Sequence, residues 1–182
     1  MPIRHYTRPL PSVFIPIGPS IAYVPLDKGM YALIDSYNAE RVSVYRWRAH
    51  WARGTKSYYA ATCVPGKGSP RRYHLSMHRF LLGLEKGDPR LGDHRSGETL
   101  NNLMANLRIA SRSQNNSNSR VRRGTQSGLK GAKRISKSTR WAAHISIDGV
   151  TKHLGAFDTP EQAHECYKQA ALKRSGAFCR FV

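Results

Sequence analysis

Asp93 and His94 stand side by side, and amides recur downstream of them at Asn101, Asn102, Asn106, Asn115, Asn116 and Asn118. One carboxylate, one imidazole and a spaced set of amide oxygens form a small chemical kit. A neutral imidazole, with an ordinary pKa near 6.5, can take a proton from water at physiological pH. A carboxylate oxygen and an amide oxygen are ligands for a hard cation such as magnesium or manganese, leaving coordination positions open for water and phosphate. Hydrolysis of a phosphodiester needs these functions together: a nucleophilic water, a proton acceptor and positive charge on the developing oxyanions.

The residues between these groups say how they would be held. Leu100, Leu103, Leu107 and Ile109 pin an otherwise polar stretch, Gly92 to Asn118. It reads as a strand ending at Asp93-His94, a polar loop, a short strand over residues 106–110, and a helix entered through Ser111 or Ser113 as N-cap. Asn115 then falls in the first turns of that helix. A ββα unit of this size can gather a strand end, a loop and a helix around one small cavity.

"DHRSGETLNNLMANLRIASRSQNNSN" resembles the ββα-metal motif of HNH endonucleases, in the form carried by phage and intron homing enzymes. The preceding "MHRFLLGLEKGD" is similar to the segment that leads into the motif there, and the resemblance runs from about Val24 to Asn118. The resemblance implies that Asp93 and Asn115 bind one divalent cation, Mg or Mn. It implies that His94 is the general base and that Asn106 ties the loop across the two strands. The third letter of the motif is Asn115 instead of a histidine, which makes the implied metal site all-oxygen. His78 reads as a packed or capped side chain. Its neighbour Arg79 stands where the family repeats a His-Arg, and with Arg108 it joins the residues expected to face DNA.

The chain as a whole favours a polyanionic partner. Lys and Arg number 30 against 11 acidic residues among 182, a formal charge of +19. Such an excess repels itself unless nucleic acid or an anionic surface is present. No apolar run approaches the roughly 20 residues of a spanning helix, so a membrane partner is not expected. The opening "MPIRHYTRPLPSVFIPIGPSIAYVPL" is broken by prolines and lacks the apolar centre of a signal peptide. Cys63, Cys166 and Cys179 make no C-x-x-C pair. That suits a reducing, cytoplasmic setting and argues against structural zinc.

Residues 1–20 read as an irregular Pro-rich arm. Short β segments follow at 31–35, 42–51 and 57–64, with a turn at "PGKGSP" (65–70) and helical spacing in "LSMHRFLLGL" (75–84). Tyr45, Trp47 and Trp51 sit on a strand pattern and are expected in the core. From Ser111 to Arg140 there are nine Lys or Arg and no acidic residue. Residues 119–128, with Arg120, Arg122 and Arg123, read as a basic linker between an N-terminal domain at 21–118 and a C-terminal one at 129–182.

The C-terminal stretch reads as three strands (129–135, 140–147, 150–157), with Asp148-Gly149 as a tight hairpin turn. A helix follows, with Thr159 as N-cap, Gln162 completing a capping box, Pro160 at the first position and Gly176 as the stop. Alternation puts Trp141, Ala143, Ile145 and Ile147 on a face that packs against the helix. Ala142, His144, Ser146, Thr151 and His153 share the other face. Gly131, Trp141-Ala142-Ala143, Leu154-Gly155, Phe157, Glu161-Gln162-Ala163 and Ala170-Ala171 make this stretch similar to the APETALA/ethylene-response-factor DNA-binding domain. That resemblance implies a sheet face seated in a DNA groove. Lys130, Lys133, Arg134, Arg140, His144, Ser146, Lys152 and His153 are the residues expected to touch the duplex.

The fold class expected is therefore α+β: a ββα-metal nuclease module followed by a three-stranded antiparallel sheet packed on one helix. The function expected is that of a metal-dependent endonuclease or nickase of double-stranded DNA, of phage homing type, acting as a monomer. The rival readings are a non-catalytic DNA-binding regulator on the same scaffold and an RNA-binding assembly protein. The second would show exposed aromatics fit to stack on single-stranded bases.

Overall fold

The computed structural model describes residues 20–66, 69–121, 124–147 and 149–181. Residues 1–19 of the Pro-rich arm, Arg122, Arg123 and Asp148 lie outside the described residues. The chain is mixed α/β, with several small sheets and short helices, and divides into two compact units, Met1–Ile109 and Ala110–Val182. The segment read as a linker, 119–128, falls inside the second unit. Each unit is described below by itself.

In the first unit β1 (Ile21–Pro25) and β2 (Tyr31–Asp35) form an antiparallel pair. Their alternation buries Ala22, Val24, Ala32 and Ile34 on one face, as a period of two requires. A short helix α1 (Ala39–Ser43) leads to the antiparallel sheet β3 (Arg48–Ala52), β4 (Ser57–Gly66) and β5 (Ser69–Ser76). Helix α2 (Met77–Leu81) follows, and β6 (Leu91–His94) pairs with β7 (Leu107–Ala110). The core joins Ile34, Val42, Trp47, Met77, Leu81 and Leu107. Burying one such side chain contributes roughly 1.5–3 kcal/mol.

Two expected elements change here. The strand expected at 42–51 begins only at Arg48, because Val42 belongs to α1 and the chain turns so that Trp47 can insert. The Trp47 indole is 2% exposed and donates to the Val42 carbonyl at 2.9 Å, and Tyr45 and Phe80 meet edge-on beside it at 5.4 Å. The helix expected over 75–84 is reduced to Met77–Leu81. Leu75 and Ser76 still pair with Thr62 and Ala61 of β4, and Gly83 adopts a left-handed φ of 68° that ends the helical run.

In the second unit helix α3 (Arg112–Ser117) begins on a capping box: Ser111 Oγ accepts from the Gln114 amide while the Gln114 side chain accepts from the Ser111 amide. The antiparallel sheet has the order β10 (Val150–Phe157), β9 (Trp141–Ile147), β8 (Ala132–Arg134). Helix α4 (Pro160–Ser175) packs on it, opened by the Thr159/Gln162 capping box with Pro160 at the first turn. Small residues let the layers approach. Ala143 and Ala163 are fully buried, with Trp141, Leu154 and Phe157 packed around them. A Cβ at Gly131 would lie 2.1 Å from the Tyr167 ring, so only glycine lets α4 seat against β8. Among the described residues, no helix is long and apolar enough to cross a membrane.

Candidate active site and nucleic-acid surfaces

Strand β6 delivers Asp93 and His94 at its end, both buried, at 6% and 4% exposure. The loop that follows is stitched down at several points. Asn106 Oδ1 accepts from the Ser96 amide at 2.9 Å, and its Nδ2 donates to the Asn101 carbonyl at 2.8 Å. The Leu33 amide donates to Leu100 and the Asn102 amide to Leu33, so β2 grips the loop from its far side. The Met104 amide donates to Asp35 Oδ2 at 2.7 Å.

Within this frame Asn102, only 1% exposed, sets the imidazole. Its Nδ2 donates to the Leu100 carbonyl, which fixes the orientation of the amide, and its Oδ1 therefore faces His94 Nε2 at 3.3 Å. An acceptor at Nε2 selects the tautomer with its hydrogen there and places the imidazole lone pair on Nδ1. Burial lowers the His94 pKa from its ordinary value, against the opposing influence of Asn102 and Asp93. The imidazole is consequently neutral at pH 7, as a proton acceptor must be. Sequence reasoning counted Asn102 among the residues of the motif but gave it no role of its own.

Asp93 Oδ2 accepts from Arg108 Nε at 2.8 Å, and Arg108 is 8% exposed. Arg108, expected to face DNA, is thus a buried counter-ion of the candidate metal ligand. Arg79 also turns inward, donating to the carbonyls of Arg90, Glu85 and Asp88. His78 packs edge-on against His94 at 5.0 Å, with Tyr59 beside both rings, and its pKa is pushed down to about 3, chiefly by burial. The His78 ring lies over Gly92, where a Cβ would stand 2.5 Å from His78 Cδ2 and 3.2 Å from Leu82. Gly92→Ala is therefore expected to overpack this corner by about 1–3 kcal/mol. The melting temperature should fall by several degrees, measured by differential scanning calorimetry.

Asn115 lies on α3, in the second unit. Among the described residues no group of three or more His, Cys, Asp and Glu side chains is arranged to hold a metal ion. By donor chemistry, a carboxylate and an amide oxygen suit a hard divalent cation that keeps water and phosphate as further ligands. On that count the Asp93 carboxylate, in the first unit, has the donor chemistry such an ion takes.

The second unit carries the basic surface. A groove of about 1570 Å³ runs along α3, the segment to Lys137 and one face of the sheet. Its floor includes His144, Ser146, Thr151 and His153, and Arg120, Lys133 and Arg134 are among its walls. Arg174 Nη1 donates to the Ser146 carbonyl at 2.6 Å and Nη2 to Ser113 Oγ, strapping α3 to the sheet end. Of the other residues expected at DNA in this unit, Arg140 and Lys152 lie outside the groove lining and Lys130 lies within it, held by backbone carbonyls. Arg140 pairs with Asp158 at 3.3 Å, and Lys152 is exposed. Lys130 donates to the carbonyls of Ser117 and Arg180, and burial lowers its pKa to about 8. Trp141 is half-buried in the core under α4. Of the three aromatics expected in the first core, Trp47 and Tyr45 are there, whereas Trp51 is 44% exposed.

A buried carboxylate and imidazole side by side at a strand end, over a loop held by asparagines, form the kind of site that activates water. The chain is 30% identical over 166 residues to an uncharacterized HNH endonuclease of Acanthamoeba polyphaga mimivirus, covering 87% of this chain and 80% of that one. The chain belongs to the HNH endonuclease family, which implies a nucleic-acid substrate. No family model matches the chain, and no solved structure does.

Proposed function

We propose that the protein is a divalent-metal-dependent endonuclease or nickase of double-stranded DNA, of phage homing type, with site preference set by its C-terminal unit. The observation that carries this reading is the Asn102-held, neutral imidazole of His94 beside the Asp93 carboxylate. His94 takes the proton of the attacking water, and Asn102 keeps the ring turned for it. Asn106 keeps the loop closed beneath them. Asp93 and Asn115 would hold the cation, Mg or Mn, which when bound supplies positive charge to the developing phosphate oxyanions. The products are a 5′-phosphate and a 3′-hydroxyl. The cytoplasm of a bacterial or phage-infected cell is the setting this reading gives to a monomer.

The test is supercoiled plasmid incubated with the protein and magnesium or manganese, with and without chelator. Relaxed circles dependent on metal support the reading, and linear product shows that both strands are cut. One observation favours the rival, a DNA-binding regulator without catalysis: Asp93 carries an ion pair with Arg108. Unchanged plasmid at saturating protein would decide for it.

The groove of the second unit supports DNA binding through its cations. If about eight phosphates are neutralised, log K should fall against log salt with a slope of roughly −7. The check is a filter-binding or anisotropy titration across salt concentrations; a slope near −2 would count against the groove and the linker cations acting together.

A further inference from the structure

Among the described residues, three that are not glycine hold left-handed backbone, and all three are lysines: Lys28 (φ 59°), Lys56 (φ 49°) and Lys137 (φ 56°). Such positions strain an L side chain and are normally given to Gly or Asn. Lys28, in the β1–β2 turn, holds its Nζ 5.0 Å from the centre of the Tyr58 ring. Lys56 closes the β3–β4 turn two residues before Tyr58, and Arg53 opens the same turn; both are exposed. Tyr58 is the cross-strand partner of Trp51, with ring centroids 4.8 Å apart and planes tilted by 57°.

A cross-strand aromatic pair by itself stabilises a hairpin. That role does not require cations in strained turn positions. A strained residue that persists in a structure points to a use for its side chain. The hairpin is also anchored. Asp27 Oδ1 accepts from the Ala49 amide at 2.6 Å, tying the Lys28 turn to β3. The Thr99 hydroxyl donates to the Tyr58 carbonyl, tying β4 to the loop that carries Asn102 and Asn106. The aromatic pair is thus fixed relative to the loop that orients His94.

We propose that the exposed Trp51 ring, backed by the half-buried Tyr58, is a platform on which a base of the DNA substrate stacks, with Lys28, Arg53 and Lys56 holding the neighbouring phosphates. Exposed aromatic faces ringed by cations are the means by which proteins hold unstacked bases. The proposal rests on the reading of DNA as substrate and concerns binding, not the cutting step.

The experiment uses the full chain carrying His94→Ala, so that binding is measured without cleavage. Tryptophan emission and fluorescence anisotropy are followed with single-stranded DNA, a perfect duplex, a duplex with a central mismatch, and RNA of the same sequence. DNA with an unpaired base should quench the emission and bind more tightly than the perfect duplex. Trp51→Ala should abolish that quenching and weaken binding about tenfold, within the range of base–aromatic stacking. Trp51→Phe, which keeps an aromatic face, should bind within about threefold of its parent on the same scale. Lys56→Gly relieves the turn, so it should melt higher yet bind DNA more weakly, with the salt slope shallower by about one. Undiminished DNA affinity in Trp51→Ala, or in Lys56→Gly with an unchanged slope, overturns the proposal. So does tighter, Trp51-dependent binding of the RNA. Plasmid nicking by the wild type is a separate readout, and it stands or falls independently of these outcomes.

Discussion

His94→Ala is expected to lower the rate of plasmid nicking by about two to four orders of magnitude, the usual worth of a positioned general base. DNA binding should be retained, because His94 is 4% exposed and its removal changes no surface cation. The pH profile follows from the environment of the ring. Burial lowers its pKa below the ordinary 6.5, and the neutral form is the one that accepts the proton. Nicking should therefore hold as pH falls through 6.5 and be lost only further down. Stability has a related dependence through His78, whose pKa is pushed to about 3 in the fold. Below pH 6.5 the unfolded chain protonates His78 and the folded chain does not, so stability declines from there towards pH 3. Initial rates and melting temperatures measured over the same pH series separate the two effects. A nicking rate for His94→Ala equal to wild type would remove His94 from the chemistry.

The elements whose signals are local were readable before the fold was seen. The strand at Tyr31–Asp35 alternates cleanly, and α4 carries its cap, its box and its first-turn proline within four residues. Strand β5 carries no such signal. "SPRRYHLS" forms a strand because β4 offers it a partner edge, a condition that no local pattern records. The same limit applies to α3, whose start was legible in its capping box. Its attachment was not, since Ser117 meets Ser175 and Ser113 meets Arg174 across about sixty residues of chain. In the candidate site the types of residue were visible and their burial was not. Arg108 looks in sequence like one more cation of a strongly basic chain; its partner is the aspartate that opens the motif, fifteen residues away. Asn102 stood in sequence as one amide among several, and only the Leu33 and Leu100 contacts give it a direction. Trp51 shared a strand pattern with Trp47, but lies toward the end of its strand, where the core does not reach.

Arg108→Met should destabilise the protein by about 3–5 kcal/mol, the cost of leaving a buried charge without its counter-ion. For a chain of 182 residues this lowers the melting temperature by on the order of ten degrees. Methionine fills much of the same volume, so the loss reports the charge and not a cavity. Asp93, at 6% exposure, would then have lost its ion pair with Arg108. Divalent cation provides the second half of the test. If Asp93 ligates a metal, a doubly charged ion can replace the missing guanidinium, and binding to the folded state alone stabilises it by mass action. Magnesium or manganese should raise the melting temperature of Arg108→Met more than that of the wild type, and Arg108→Met/Asp93→Asn should lose that response. Equal metal responses in all three proteins, measured by calorimetry with a chelator control, would show that Asp93 serves the fold through Arg108 and takes no part in holding a cation.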